Sequence, residues 1–157
     1  MSPRVAAAAL AIVAACTVDT ETGIAAMIDT ASVTVSPSSV PASTVVGLDL
    51  TMTFHVGEHA PGGDRMFVPM RAELYLEEGT PPIALLNLQR PADFDGTLHK
   101  GETRTVAFHG ETLPGAYPPD PFCTGTPTIQ VLVRYTDTTA SEIGTTTATT
   151  TTVTCTP

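Results

Sequence analysis

Residues 45–56 read V-V-G-L-D-L-T-M-T-F-H-V, and this stretch decides the fold class. Every second residue in it is apolar, in the order Val46, Leu48, Leu50, Met52, Phe54 and Val56. Successive side chains of a β-strand point to opposite faces, so this alternation produces one dry face and one wet face. A helix would scatter the same apolar residues around its circumference. The stretch therefore predicts a half-buried β-strand.

Further short segments carry strand signals and are separated by turns rich in proline and glycine. They cover residues 31–36, 68–76, 83–88, 103–109, 128–136 and 145–155. This pattern, without the period of a long helix, predicts an all-β fold, an antiparallel Ig-like β-sandwich of about seven strands. The side chains of the later segments expected to face the core are Val68, Met70, Ala72, Leu74, Leu76, Val106, Phe108, Ile129, Val131, Val133 and Tyr135.

Length and charge limit the possible functions. The chain has 157 residues, enough for one domain with a substantial core. It carries a formal net charge of -9, from seven Lys and Arg against sixteen Asp and Glu. Because so few cations cannot neutralise a run of phosphates, the composition argues against nucleic-acid binding.

The N-terminus has the form of an export signal. Arg4 supplies a short basic start, and residues 5–13 are apolar but too few to span a bilayer, which needs roughly 20 residues. The apolar run ends in Val13-Ala14-Ala15-Cys16, which resembles the lipobox of bacterial lipoproteins. The resemblance implies that Cys16 is acylated and becomes the first residue of the mature chain. The alternative is an ordinary secretory signal in which Cys16 has no special role.

The lipoprotein resemblance implies a division of the chain and an address. Residues 1–15 would be the signal peptide, residues 16–30 a lipidated tether, and residues 31–157 the Ig-like domain. The partner of the lipid on Cys16 would be a membrane. The family implies an exported lipoprotein of the cell envelope, at the outer membrane or the cell surface. If the envelope is Gram-negative, Thr17 in place of Asp after the cysteine permits export to the outer membrane.

The cysteine count agrees with an exported protein. The chain has three cysteines, and if Cys16 carries the lipid, Cys123 and Cys155 remain as a pair that predicts one disulfide. A hairpin of residues 128–136 and 145–155 would bring the two together. With no C-x-x-C spacing, neither a zinc site nor a thioredoxin-like redox site is expected.

The folded part also resembles the Ig-like modules of bacterial envelope proteins, including the adhesion-type domain named CARDB. The likeness is carried by L-T-M-T-F-H-V at residues 50–56 and G-E-T-R-T-V-A-F at residues 101–108, and it extends over roughly residues 32–155. This family has no catalytic residues to transfer. The resemblance supports the fold and not a ligand. Our first hypothesis is a non-catalytic module that acts in binding or assembly at the cell envelope without a cofactor, and the sequence does not name its protein or glycan partner.

Residues 93–98 read D-F-D-G-T-L and match the motif that opens haloacid-dehalogenase-like phosphatases. Carried over, Asp93 would be the nucleophile and Asp95 the acid/base, with Mg²⁺ neutralising the phosphate. The surroundings disagree, because Q-R-P-A precedes the motif instead of a buried strand and no βαβ alternation follows. We expect an acidic Asp-Gly turn here, and a small Mg²⁺-dependent phosphohydrolase is the enzymatic alternative.

Two groups of residues contain side chains of the types that bind metal ions. His55-Val56-Gly57-Glu58-His59 matches the H-x-x-E-H of inverted zinc proteases, but that site needs a helix and these residues end a predicted strand. Loop carboxylates at Asp93, Asp95 and Glu102 are weak candidates for Ca²⁺, which prefers oxygen ligands. We expect neither zinc nor another cofactor. A further alternative is a structural subunit of a surface filament or shell that pairs through edge strands.

Overall fold

The fold is all-β, as the sequence predicts. The computed structural model describes residues 22–37, 43–76, 80–113 and 120–156. Its strands are β1 (Ile24–Pro37), β2 (Thr44–Val56), β3 (Arg65–Tyr75), β4 (Ala84–Gln89), β5 (Thr97–Leu98), β6 (Thr103–Glu111), β7 (Ile129–Asp137), β8 (Glu142–Thr150) and β9 (Val153–Cys155). A single-turn helix, α1 (Asp120–Cys123), lies in the connection between β6 and β7, where no regular element was expected.

The strands form one continuous curled sheet in the order β8-β7-β3-β4-β6-β2-β1-β9, with β5 beside β3. The sheet is mixed, so the expectation of a purely antiparallel sandwich is wrong in one place. The last segment, predicted as one strand over 145–155, is two strands, and β9 runs parallel to β1. After β8 the chain crosses to the other layer, where the Val33 N–H donates to the Thr152 carbonyl at 2.9 Å.

The sheet curls into two layers because β4 belongs to both. Its first half pairs with β3 and its second half pairs with β6. The opposite side is joined by side chains: the Tyr135 hydroxyl donates to the Ile24 carbonyl at 2.9 Å, and the Thr150 hydroxyl donates to the Ala31 carbonyl at 2.6 Å. One layer therefore contains β9, β1, β2 and β6, and the other contains β3, β7 and β8.

The core lies between these layers and confirms the reading of residues 45–56. All six apolar side chains of the β2 alternation are buried. Phe54 packs across the sandwich against Phe67 of β3, with ring centroids 4.6 Å apart, and Phe108 of β6 joins the cluster at 6.0 Å from Phe54. The predicted inward residues of β6 and β7 are also buried. Such a core stabilises by removing apolar area from water.

Strand β3 departs from its predicted alternation. A bulge between Pro69 and Arg71 shifts the register against β7. Before the bulge Phe67 is buried in place of Val68, and at the bulge Met70 is 47 % exposed instead of facing the core. An extra residue in one strand reverses the face of every side chain beyond it, so a single alternation cannot run through the whole strand.

The first strand begins earlier than expected. Residues 24–30, predicted as part of a tether spanning 16–30, belong to β1, whose ladder with β2 starts at Ile24 opposite Val56. Ile28 is buried, and a register shift before Thr30 breaks the alternation that would have revealed the strand. Residues 1–21 lie outside the described residues, so the signal peptide and the lipid on Cys16 stay predictions.

The predicted pairing of Cys123 with Cys155 is confirmed as a disulfide, with Cα atoms 6.0 Å apart. Its location differs from the expected hairpin. Cys123 ends α1, and Cys155 lies in β9 beyond the β7–β8 hairpin. Because the neighbouring Phe122 is buried in the core, the disulfide attaches the C-terminal strand to an anchored turn. The bond closes a separation of 32 residues.

A buried ion pair joins the loops at one end of the sandwich. Arg65 and Asp137 are both nearly inaccessible to solvent, with Nη1 and Oδ2 3.4 Å apart. Arg65 also donates to the Pro61 carbonyl at 2.8 Å, and Asp137 accepts the backbone N–H of Thr139 at 3.1 Å. Both charges are desolvated, and each also bonds to the backbone of a different loop. The pair therefore fixes the positions of these loops more than it adds to stability.

Candidate functional site

The outer surface of the layer containing β3 and β7 carries the strongest candidate site. Beyond the bulge, Arg71, Glu73 and Tyr75 of β3 point away from the core, since the alternate residues Ala72 and Leu74 are buried. The register pairs Arg71 with Arg134 and Glu73 with Leu132 of β7. We call this surface, with the neighbouring outward side chains of β4 and β8, the β3–β7 face. Cross-strand neighbours of this kind are close enough to interact.

Glu73 is the centre of a hydrogen-bonded cluster on the β3–β7 face. Its Oε1 accepts from Arg71 Nε at 2.6 Å and from Arg134 Nε at 2.8 Å, and its Oε2 accepts from the Tyr75 hydroxyl. The residue is only 2 % exposed, although it lies on the outside of the sheet. The surrounding side chains therefore exclude water from the carboxylate and satisfy both of its oxygens.

The protonation of the cluster follows from these contacts. Burial alone would raise the pKa of Glu73, but hydrogen bonds from Arg134, Tyr75 and Arg71 outweigh it and lower that pKa from 4.5 to about 2. The hydrogen bond to Glu73 raises the pKa of Tyr75 and that of Arg134. At neutral pH the cluster thus contains two cations and one anion, a local positive excess on an acidic chain.

Large apolar side chains on the same face as this cluster remain open to solvent. Leu85 of β4 lies opposite Glu73 and is 48 % exposed. Met70 at the bulge is exposed, and Ile143 of β8 is 68 % exposed. We call these three residues the apolar rim. Large apolar side chains grouped around arginine and tyrosine are the composition of protein–protein interfaces, whereas single exposed apolar residues are ordinary.

The opposite outer surface, the β2–β6 face, has a different character. Its central group is His109 of β6, whose Nδ1 lies 2.7 Å from Asp49 Oδ1 and whose Nε2 lies 3.2 Å from Glu111 Oε1. Hydrogen bonding to Asp49 raises the pKa of His109. Farther along the same face, Thr53 donates to Asp29 at 2.7 Å, and Met27 of β1, which lies opposite Thr53, is 59 % exposed. The polar groups of this face are hydrogen-bonded and in contact with solvent, with a large apolar side chain among them.

The D-F-D-G-T-L segment forms the acidic turn that its spelling predicts. Phe94 is buried and stacks in the core 6.0 Å from Phe54, while Asp93 and Asp95 on either side of it are exposed. Asp95 accepts the Thr97 N–H at 2.8 Å, which lowers the pKa of the carboxyl group, and Gly96 has a positive φ of 100°. The segment closes the core with its phenylalanine.

The carboxylates of this turn lie among cations. Arg104 donates to the Asp93 carbonyl at 3.1 Å, and its guanidinium stands 4.9 Å from the centroid of the Phe94 ring. Arg90 donates to the Asp95 carbonyl. The adjoining open cavity of about 350 Å³ is lined by Ala92, Asp93, Asp95, Thr97, His99 and Arg104. Nothing in this geometry orients Asp93 as a nucleophile, because its partners contact the backbone.

The weak calcium candidates do not come together. Among the described residues, no group of three or more His, Cys, Asp or Glu side chains is arranged to hold a metal ion. Glu102 accepts the backbone N–H of His99 at 2.6 Å, whereas Asp95 caps its own turn. Three oxygen ligands on one cation need a shared centre that Asp93, Asp95 and Glu102 do not have.

The H-x-x-E-H spelling also lacks the helix it requires. His55 lies on β2, with Nδ1 3.0 Å from the Thr103 hydroxyl, and the strand ends at Val56. Glu58 and His59 follow in a turn.

No helix in the part of the chain described here has the length and apolar character to cross a membrane.

Sequence reasoning missed the Glu73 cluster. Arg71, Glu73 and Tyr75 at alternate positions do mark a polar strand face, and this was the only available signal. Arg134 lies 61 positions from Glu73, and its contact depends on the register of β7 against the bulged β3. A bulge of this kind cannot be located from alternation alone.

The chain matches no known family model, and no curated protein sequence is significantly similar to it.

Proposed function

We propose that the protein is a non-catalytic binding module of the cell envelope, and that the β3–β7 face is its binding surface. The observation that carries the proposal is the desolvated Glu73 cluster inside the apolar rim. It combines rigid arginine and tyrosine side chains with exposed leucine, methionine and isoleucine. Arginine and tyrosine are among the side chains that dominate the energy of protein interfaces, and a cluster ordered before binding loses little entropy on association.

The cellular location in this proposal is inferred from the sequence. The V-A-A-C spelling at residues 13–16 supports acylation of Cys16, and the Cys123–Cys155 disulfide is typical of an oxidising compartment. Palmitate labelling of wild type and of Cys16→Ser in the native host tests the anchor. Label on wild type alone supports a lipoprotein, whereas equal labelling of both contradicts it.

Site-specific photo-crosslinking in the native host tests the binding surface. A benzoylphenylalanine at position 85 replaces an exposed leucine of the apolar rim, and one at position 51 on the β2–β6 face is the matched control. We expect one discrete adduct from position 85, identifiable by mass spectrometry, and none from position 51. Adducts from position 51 alone, or from neither position, contradict the proposed surface.

A further inference from the structure

The arginine pair of the β3–β7 face has donors that Glu73 does not use. Arg71 and Arg134 both contact Glu73 through Nε, at 2.6 Å and 2.8 Å. Their side chains remain 50 % and 36 % exposed. Most N–H donors of a guanidinium are on its Nη atoms, so each group can still bind an anion from solvent while Glu73 fixes its orientation.

The charge of the cluster selects that anion. Two guanidinium groups face one carboxylate whose pKa of about 2 keeps it ionised, so the cluster has one positive charge in excess. The chain as a whole carries -9 and repels long polyanions such as nucleic acids. At physiological salt the repulsion is screened beyond about 8 Å, and a single carboxylate that reaches the pair experiences mainly the arginines.

The apolar rim selects the chemistry around the anion. Leu85 and Met70 lie beside the arginine pair, and an occupant that covers them removes apolar surface from water. Uronic acids and phosphates surround their charge with hydroxyls or further charge and cannot do this well. An aspartate or glutamate between apolar residues of a protein satisfies both requirements.

We infer that Arg71 and Arg134 receive a carboxylate of a protein partner, with apolar residues of that partner covering Leu85 and Met70. This inference rests on the proposed function and names the chemistry of its partner. Bidentate pairing between guanidinium and carboxylate supplies both strength and geometric specificity. Glu73 acts as a positioning residue, because its carboxylate fixes the orientation of both arginines.

Selection from a random peptide library on the purified protein tests the inference. We expect enriched peptides in which an acidic residue stands between apolar ones. Changing that residue to its amide should weaken binding about tenfold or more, because a charged hydrogen-bonding partner is lost. Arg71→Lys with Arg134→Lys keeps the charge but removes the planar fork, and it should also weaken binding several-fold.

A triple variant that is expected to fold distinguishes the loss of a binding contact from the loss of the fold. Arg71→Met, Glu73→Leu and Arg134→Met together replace the ionic cluster with apolar side chains, a change that proteins often tolerate. It should abolish the preference for acidic peptides at an unchanged melting temperature. Arg104→Met, which removes an arginine of similar exposure away from the β3–β7 face, should have no effect.

The outcomes separate the two proposals. Selected peptides that no longer bind the Leu85→Ser and Met70→Ser variants, but that show no preference for acidic residues, would overturn the carboxylate inference. The same result would still support the β3–β7 face as the binding surface. Peptides that tolerate all β3–β7 face variants, or no enrichment at all, would overturn both. An acidic preference that disappears with the arginine variants and persists in Arg104→Met supports both.

Discussion

The two outer faces of the sandwich are built on the same alternation and have opposite properties. On the β2–β6 face, His109 pairs with Asp49 and Thr53 donates to Asp29, and these groups remain in contact with solvent. On the β3–β7 face, Glu73 is inaccessible to water, and its partners Arg71 and Arg134 share the face with exposed apolar side chains. Strand pleating decides which residues point outward, but the cross-strand neighbours decide how those residues behave.

The difference between the faces concerns desolvation. An exposed ion pair such as Asp49 with His109 is screened and contributes little to stability. A carboxylate without access to water depends on its hydrogen-bond donors, and it constrains them in return. The β3–β7 face therefore holds a desolvated carboxylate, whereas the ion pair of the β2–β6 face is exposed to solvent, and the following measurements test the consequences.

The largest effect is expected from the disulfide that attaches β9 to the α1 turn. Replacing Cys123 and Cys155 with serine should lower the free energy of unfolding by about 3–4 kcal/mol, because the bond restrains a long loop of the unfolded chain. Urea titration measures the loss. Hydrogen exchange should show faster exchange at Val33, which bonds to the β9 segment, and little change around Glu73. Equal acceleration in both layers would contradict this division.

Acid should destabilise the protein through the β3–β7 face. Because the folded pKa of Glu73 is depressed from 4.5 to about 2, its contribution is fully present above pH 4.5 and is lost as pH falls toward 2. The loss should be on the order of 2 kcal/mol, because the exposure of both arginines to solvent reduces the free energy that the shift would otherwise represent. Urea titrations between pH 5 and 2 measure it, with Glu73→Gln as the control that lacks this slope. Parallel profiles of stability against pH for wild type and Glu73→Gln would show that Glu73 does not cause the loss in acid.

Matched amide substitutions compare the faces directly. Glu73→Gln should cost about 2 kcal/mol, since it leaves two arginines without their shared anion, although their partial exposure reduces the penalty below that of a fully buried pair. Asp49→Asn on the β2–β6 face should cost less than about 0.5 kcal/mol. Thermal unfolding at pH 7 gives both values. A larger loss for Asp49→Asn would reverse the contrast between the faces.

The smallest effect is expected at His109. Its pKa is raised by Asp49 and Glu111, so its contribution is present below the unfolded pKa near 6.5 and is lost as pH rises through the folded value. Because the side chain is about half exposed, screening limits the gain to roughly a few tenths of a kcal/mol. Melting temperatures of wild type and His109→Gln at pH 5.5 and 8.5 should converge at the higher pH. A larger difference in melting temperature at pH 8.5 than at pH 5.5 would show that His109 stabilises the fold in its neutral form instead.

The parts of the fold that could be predicted are those with local causes. The six buried residues of β2 follow from alternation, and the pairing of Cys123 with Cys155 follows from the expectation that Cys16 carries a lipid. The exposure of Met70 could not be predicted, because it depends on a bulge in β3. The early start of β1 was hidden by a register shift, and the parallel position of β9 depends on a strand distant in sequence.

The candidate site shows the same limit. Arg71, Glu73 and Tyr75 could be placed on one polar face from their spacing, but such spacing is ordinary on a half-exposed strand. The desolvation of Glu73 comes from Arg134, Leu85 and Leu132 on neighbouring strands. The motifs that resembled catalytic or metal sites, at residues 55–59 and 93–98, were visible in sequence because motifs are local.

By itself, the sequence determined the all-β class and the dry face of β2, because side-chain alternation is a property of the chain. Only the tertiary structure decided which outer surface holds a desolvated carboxylate. That choice depends on the bulge in β3, on the register of β3 against β7, and on the bend of β4 between the layers. Registers are set by packing between distant strands, so the desolvated carboxylate exists only once the sandwich has closed.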